Sequence, residues 1–541
     1  MMQQTTSSSA TPAVGTRFAL AGHLGTVRFV GPVEGTRGLW LGVEWDDPAR
    51  GKHDGVKDNR RYFSCLVPNT GSFIRPTANG IDYGTSFLQA LVSKYIELPH
   101  GTSVEKVILG SSNGAIEVEA PGLDKVRGKL SNLQRLKIVS LDNHGVATPD
   151  PPGEIERVCS GIRGLDLSKS LLSSWDAIAQ IVSELPALGN LVLNQNRLSL
   201  PSNIPTFRAA FSRIRELQIN STLTTWTDLR RLVGCMPSLT RVESGYNRLH
   251  SLSDGPDTTA NNAAVSLTLQ EINLDGNFLQ KWSAVYSALT DFTNLERLVL
   301  SDNAIDTIDE RTKDSPSLQH LKHLSLMSNG LKVWRDVDRL VAWCPALASL
   351  TLAGNPLVED EGLRSHARQF TIAKIPSLTV FDGAAITAKE RIDCELFYLS
   401  YITKHGPYDE VSRQEHHPRY KELCTKHAIQ DTPHVAPQEK QDTLSNRLFG
   451  IIAHRCARPP STPGAGDMGA HNLRVLPSMT MRTFRMKLAK TFKLTKAEQA
   501  SVRMWIRMPE GTYTEVDLTD DNHELDWWGL EDGSEIAVVT T

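Results

Sequence analysis

The chain has 541 residues, too many for one hydrophobic core, so three or four domains are expected. It is 40% hydrophobic and 22% charged with a formal net charge of -3, which gives no electrostatic case for nucleic acid, since that would need a clustered basic face. The seven cysteines are scattered with no CxxC pair, so neither a disulfide framework nor a zinc finger is indicated and a reducing compartment is expected.

Residues 1–14, "MMQQTTSSSATPAV", are polar and lack the charged-then-apolar layout of a signal peptide, so they read as a disordered leader. No run of 18 apolar residues occurs; no membrane contact is expected and the cytoplasm is the expected location. In residues 15–80, β-branched and aromatic runs alternate with glycine-bearing turns every eight to twelve residues, the pattern of a small all-β barrel. "GTVRFVG", "GLWLGVEWDDPARGKHDG", "RYFSC" and "GSFIRP" give this block a specific resemblance to a CAP-Gly domain, with "GKHDG" where that family has GKNDG.

That resemblance implies capture of an acidic peptide ending in Glu-Glu-Tyr or Glu-Glu-Phe. The residues suit such a ligand. A terminal carboxylate seeks backbone N–H groups from a tight loop and a nearby cation, which Gly51, Lys52 and Gly55 can supply, with His53 and Asp54 in the same loop. Trp40 and Phe73, and after them Phe29 and Trp45, are candidate walls for the last side chain. His53 replaces the family's asparagine and brings a group that titrates near neutrality. Asn59 stands where a glycine is common and is expected to accept a left-handed backbone.

Residues 81–160 are read as a linker and the N-terminal cap of a solenoid that spans 161–374. There the frame LxxLxLxxNxL recurs eight times, from "IRGLDLSKSLL" and "LGNLVLNQNRL" to "LKHLSLMSNGL" and "LASLTLAGNPL". Its second position falls at Leu165, Leu191, Leu217, Val242, Ile272, Leu298, Leu324 and Leu350, with spacings of 25, 26 or 30 residues. This is a leucine-rich repeat, an α/β solenoid in which each unit buries its neighbour's apolar side. Asn196, Asn247, Asn277, Asn303, Asn329 and Asn355 should satisfy backbone groups at the turns; Ser170 and Thr222 replace asparagine, so looser turns are expected there. "SDGPDTTANNAAV" (253–265) should loop out of one repeat. Alternation along the strands places Glu216, Arg241, Glu243, Glu271, Asn273, Arg297 and His323 on the concave face, a polar surface of both signs that suits a folded protein partner.

Residues 375–428 supply a helical cap for the last repeat, and 429–444 a polar linker. Residues 445–541 run strand, strand, amphipathic helix, strand, strand, the order of a ubiquitin-like β-grasp, with "ARPPSTPGAGDMGAH" as a long first hairpin loop. The final "GSEIAVVTT" has no Gly-Gly, so a docking role is expected, not conjugation; Trp527 and Trp528 suit packing or interface equally.

This order of domains, with the "HHPRYKELCTKHA" segment, resembles the tubulin-folding cofactor E family over essentially the whole chain. The resemblance implies a non-enzymatic protein that binds α-tubulin, its acidic tail in the CAP-Gly loop and its body on the repeats. It would act with other tubulin-folding cofactors, among them a CAP-Gly-containing cofactor B and the β-tubulin-binding cofactor D, in assembling or dissociating the αβ heterodimer. The ubiquitin-like domain would recruit a second cofactor or the proteasome. No bound cofactor or metal is expected: there is no Walker loop, GxSxG or HExxH, and His416, His417, Cys424 and His427 match no tetrahedral zinc spacing. The rival readings are a microtubule-binding adaptor and a ubiquitin-pathway receptor that delivers tubulin to the proteasome. The first normally carries coiled coils or basic flanks, which are not seen here.

Overall fold

The structure is a computed structural model and describes residues 11–97, 107–109, 116–118, 133–252, 268–312, 315–359, 366–407, 409–429, 448–460, 467–508, 511–516 and 521–540. Most of the expected leader, the insertion 253–265 and nearly all of the linker 429–444 lie outside these residues. The chain divides into two compact units, Met1–Asp431 and Thr432–Thr541.

The first unit begins with a five-stranded antiparallel sheet, in the order Gly71–Ile74, Leu39–Trp45, His23–Pro32, Arg17–Leu20, Ile81–Asp82. Alternation sends Phe18, Val27, Leu41 and Val43 into a small core closed by Trp45, whose ring meets Phe18 edge-on at 5.3 Å. Only Tyr83 and Gly84 separate this sheet from the next element, because Thr85–Ser86 already pair in parallel with Val146–Thr148. Gly84 is required at that joint: its φ is +79°, and a Cβ would lie 2.2 Å from the Gly145 carbonyl oxygen. Ser86 and Gln89 then form a capping box for helix Phe87–Val92, which buries Phe87, Ala90 and Leu91 in the solenoid core.

The solenoid sheet has eleven strands, and all but the last pair run parallel. Ile138–Ser140 leads, one repeat length before Leu165, followed by the strands of the eight motifs and then by Val380–Phe381 and Ala384–Ala385. Each motif strand is three residues long, and its central residue, from Leu165 to Leu350, is at most 2% exposed. The residue before each ladder position has positive φ: Lys169, Gln195, Ser221, Tyr246, Gly276, Asp302, Ser328 and Gly354. Most are not glycine, so each left-handed turn costs about 1–2 kcal/mol for an L-residue and needs a compensating interaction. The asparagine ladder provides it. Asn277 donates to the carbonyls of Ser244 and Leu274 and accepts from the N–H groups of Asn247 and Leu249, joining two repeats. Asn196, Asn329 and Asn355 likewise donate to carbonyls of two repeats, and each accepts one backbone N–H.

The expectation of looser turns at Ser170 and Thr222 is overturned. Both are buried, and each is tied to the next repeat's asparagine, Ser170 through N–H and Oγ and Thr222 through N–H and Oγ1. The hydroxyl replaces part of the lost amide, and the downstream asparagine supplies the rest. Asn277→Ala would leave the N–H groups of Asn247 and Leu249 and the Ser244 carbonyl without their partner in a site 2% exposed, while Leu274 keeps Asn303. It is expected to lower stability by about 2 kcal/mol, read from the urea midpoint at unchanged slope. Asn303→Ala should cost less, since Asn303 is only half-buried and takes a single N–H, that of Leu279.

On the convex side, four helices each begin with tryptophan: Trp175–Ser183, Trp226–Gly234, Trp282–Leu289 and Trp334–Trp343. The side chains of Ser174 and Thr225 cap the first two. The last repeat is closed by helix Ala388–His405 with Glu410–His416 and Tyr420–Lys426, around Phe370, Ala373, Tyr398, Leu399 and Leu423. The histidines of this segment serve the cap separately: His417 Nδ1 meets the Tyr398 hydroxyl at 2.9 Å, His427 Nε2 meets Glu395 at 2.7 Å, and His416 Nδ1 lies 2.8 Å from the Ser412 carbonyl oxygen. All seven cysteines are free thiols, and burial pushes those of Cys159 and Cys344 up to about 12.

The second unit is a five-stranded mixed sheet in the order Asp467–Val475, Phe449–Cys456, Glu535–Val539, Arg503–Arg507, Tyr513–Glu515. Its central pair, Phe449–Cys456 and Glu535–Val539, is parallel, and helix Met481–Thr491 packs Phe484 and Leu488 against Ile451, Met504 and Val538. This is the β-grasp order. The second strand starts inside the stretch expected as a loop, leaving 461–466 outside the described residues. The two tryptophans divide: Trp528 packs on the core, while Trp527 is 62% exposed and stacks on His523 at 4.1 Å. No helix among the described residues is long and apolar enough to cross a membrane.

Candidate peptide-binding groove

Gly51 to Gly55 lie between the turn Pro48–Arg50 and the short pair Val56–Lys57 with Arg60–Arg61. The loop is drawn against strand Gly71–Ile74, where the N–H groups of Lys52 and His53 both donate to the Gly71 carbonyl at 2.8 and 3.2 Å. A Cβ on Gly51 would sit 2.1 Å from the Asn69 carbonyl oxygen, so the residue is there for close approach. The Gly55 N–H donates to His53 Nδ1 at 3.0 Å. The N–H groups of Lys52, His53 and Gly55 are thus committed, the first two to the strand and the third to His53, and the loop presents side chains outward.

Beside the loop runs a groove of about 570 Å³ lined by Val33, Trp40, Trp45, Arg50, Lys52, His53, Lys57, Ser72, Phe73 and Ile74. Lys52, His53, Trp40, Trp45 and Phe73 are brought together. Phe29 stands behind the wall, edge-on to Tyr62 at 5.4 Å and to Phe73 at 6.5 Å. Asp54 faces elsewhere: its carboxylate accepts from Arg61 at 3.0 Å and from the Cys65 N–H at 3.3 Å. Those bonds hold its pKa below the usual carboxylate value. Asn59 has φ +62°, the left-handed backbone its residue type admits.

Three cations that pattern reading did not single out complete the groove. Arg50 lies 4.1 Å over the Trp45 ring, Arg75 3.7 Å over Trp40, and Lys57 joins Lys52 on the lining. Arg50 could have been found from its place five residues after Trp45; Arg75 is far from Trp40 in sequence and left no local signal. Among the described residues no carboxylate lines the groove. Aromatic walls under a positive rim are complementary to a peptide carrying both an aromatic end and negative charge.

His53 accepts the Gly55 N–H on Nδ1, so its neutral form carries the proton on Nε2. Burial lowers its pKa from 6.5, Asp54 opposes the shift and Lys52 adds to it. A depressed histidine contributes stability that is complete above its unfolded value and is lost as pH falls from there toward the folded one. The protection factor of the Gly55 amide, the unfolded chain's exchange rate over its own at the same pH, should therefore be flat above pH 6.5 and fall below it. His53→Asn should abolish that dependence.

On the solenoid's concave side, Glu216, Arg241, Glu271, Arg297 and His323 occupy one register across five strands. Arg241 lies 3.9 Å from Glu216 and 3.0 Å from Glu271, which also meets Arg297 at 3.8 Å, so this row neutralises itself. Glu243 accepts from Gln218 and Asn220, and burial raises its pKa; Asn273 accepts from the Asp275 N–H.

A cationic aromatic groove on a β barrel, a leucine-rich-repeat solenoid joined to it and a β-grasp unit define a modular chain of the CAP-Gly class. A model of the CAP-Gly domain matches residues 14–79, and one of the leucine-rich repeats of an FBD-associated F-box protein matches 262–378. Tubulin-specific chaperone E of Danio rerio is 32% identical, over 97% of this chain and 98% of that protein, and that of Bos taurus is 30% identical over 98% and 99%. Among solved structures, the C-terminal ubiquitin-like domain of mouse tubulin-specific chaperone E is 15% identical and covers 19% of this chain and 94% of its own, with a TM-score of 0.15. The chain belongs to the tubulin-specific chaperone E family.

Proposed function

We propose that this chain binds α-tubulin by two linked contacts and works with other tubulin-folding cofactors in assembling and dissociating the αβ heterodimer. The groove takes the acidic, aromatic-ended tail; the concave face of the solenoid holds the folded body. The observation that carries this reading is the groove itself, with Arg50, Lys52 and Lys57 at its rim, aromatic walls and, among the described residues, no lining carboxylate. The concave row supports the second contact: its charges are already paired with one another, so a protein surface can cover them without leaving an ion unmatched. The ubiquitin-like unit serves as a dock for a second cofactor or for the proteasome.

The test is size-exclusion chromatography with soluble αβ-tubulin, alongside calorimetric titration of a free peptide ending Glu-Glu-Tyr. The wild type should co-elute with tubulin, and Lys52→Ala should weaken peptide affinity about tenfold by removing a charge-assisted contact. Co-pelleting with assembled microtubules and no soluble complex would replace this reading with the adaptor.

A further inference from the structure

We infer that Arg197 is a positioning residue that latches the CAP-Gly groove to the solenoid, so that the tail and body of one partner are engaged at a fixed separation; this rests on the two-contact reading proposed for the chain. The barrel is joined to the solenoid cap through Tyr83 and Gly84, and one short joint leaves rotation about itself open. A second attachment removes that freedom, and it is ionic.

Asp46 directly follows the strand that ends at Trp45 and precedes Asp47, whose side chain caps the Pro48–Arg50 turn leading into the groove loop. Its carboxylate takes both prongs of Arg17, each at 2.6 Å. Arg197 brings a second guanidinium from the solenoid, its Nε 4.0 Å from Asp46 Oδ1. On its own side Arg197 is held by donation to the carbonyls of Asn196 at 3.0 Å and Ser221 at 2.7 Å, in the turns of adjoining repeats. Its side chain is only 15% exposed, and burial disfavours its charge while Asp46 favours it.

Nothing in the repeat requires arginine there. The residue after the ladder position is arginine in one other repeat, Arg248, and Leu171, Leu223, Phe278, Ala304, Gly330 and Pro356 in the remaining six. What sets Arg197 apart is the group it faces, the Asp46 carboxylate of the barrel. Linking two contacts multiplies affinity only while geometry lets both engage together; a barrel loose on its joint would keep tail capture and lose the gain from linkage.

The experiment uses the full chain as wild type, Arg197→Ala and Arg197→Lys, titrated with the free Glu-Glu-Tyr peptide and with αβ-tubulin. Peptide affinity should stay within about twofold in both variants. Tubulin affinity should fall about tenfold in Arg197→Ala and recover in Arg197→Lys, whose ammonium can still face Asp46. Should the alanine variant unfold, Arg197→Gln keeps a donor for the Ser221 carbonyl without the charge and should show the same split. Equal loss toward both ligands would overturn the inference, since Arg197 would then shape the groove itself. No loss toward tubulin, with peptide binding intact, would also overturn it and leave the two-contact reading standing. A wild type that does not bind the peptide would bring down both.

Discussion

Replacing Lys374 with methionine is expected to lower the stability of the first unit by about 3–5 kcal/mol, the range for removing one partner of a buried ion pair. Lys374 is 1% exposed, and its Nζ lies 2.7 Å from Asp338, itself 10% exposed, where the last repeat meets the helical cap. Burial works against both charges: it lowers the lysine's pKa and raises the aspartate's, and their mutual attraction opposes each shift. Methionine fills most of the volume but leaves the Asp338 carboxylate in a dry site without its ammonium. The double variant Lys374→Met, Asp338→Leu removes both charges and should return close to wild type. Urea unfolding followed by tryptophan fluorescence reads this, with Trp334, which packs on Phe370 at 5.2 Å in the same cap, among its ten reporters. A double variant as unstable as the single one would show that the loss is one of shape and not of stranded charge.

The same substitution has a second readout. His417 is pushed down to about 4, first by burial and then by the Lys374 charge, so removing that charge should raise it. In the wild type, stability tied to His417 is complete above pH 6.5 and drains as pH falls from there to about 4, because the unfolded chain takes up the proton first.

Gly55→Ala is expected to abolish peptide capture while leaving the solenoid intact. Two penalties act at once: φ is +78°, and a Cβ would lie 2.1 Å from the Phe63 carbonyl oxygen and 2.7 Å from its carbon, both rigid backbone. Together they amount to about 3 kcal/mol or more, near the upper end of overpacking plus left-handed strain. A five-stranded barrel with a small core has little stability in reserve. Hydrogen exchange on the full chain should show protection lost across 15–80 and kept at the repeat strands, with no measurable binding of the Glu-Glu-Tyr peptide. Retained binding would mean that the loop rearranges without harm and that the groove does not depend on its geometry.

The range of each interaction set how much of the fold and groove could be read from the residues alone. The repeats were visible because leucine spacing and the asparagine position are set within one turn of the solenoid, and each strand pairs with a copy of itself. Ser170 and Thr222 misled because their turns are completed by an asparagine one repeat downstream, a partner the local frame does not display. In the barrel, the glycine-rich block was recognisable as a block, yet not which residues face the groove. Trp45 proved to be both core and lining, Phe29 packs behind the wall, and Asp54 turns to Arg61.

The amino-acid order by itself therefore determined the three kinds of fold, the ladder that joins the repeats and the glycine-lysine loop of the barrel, all written in short-range periodicity and local backbone demands. Only the tertiary structure decided that Arg75 covers Trp40, that the loop's N–H groups are spent on Gly71 and His53, and that Arg197 meets Asp46. All but the bond from Gly55 to His53 join residues far apart in the chain, and an ion pair or a cation over a ring imposes no periodicity on the sequence between its partners.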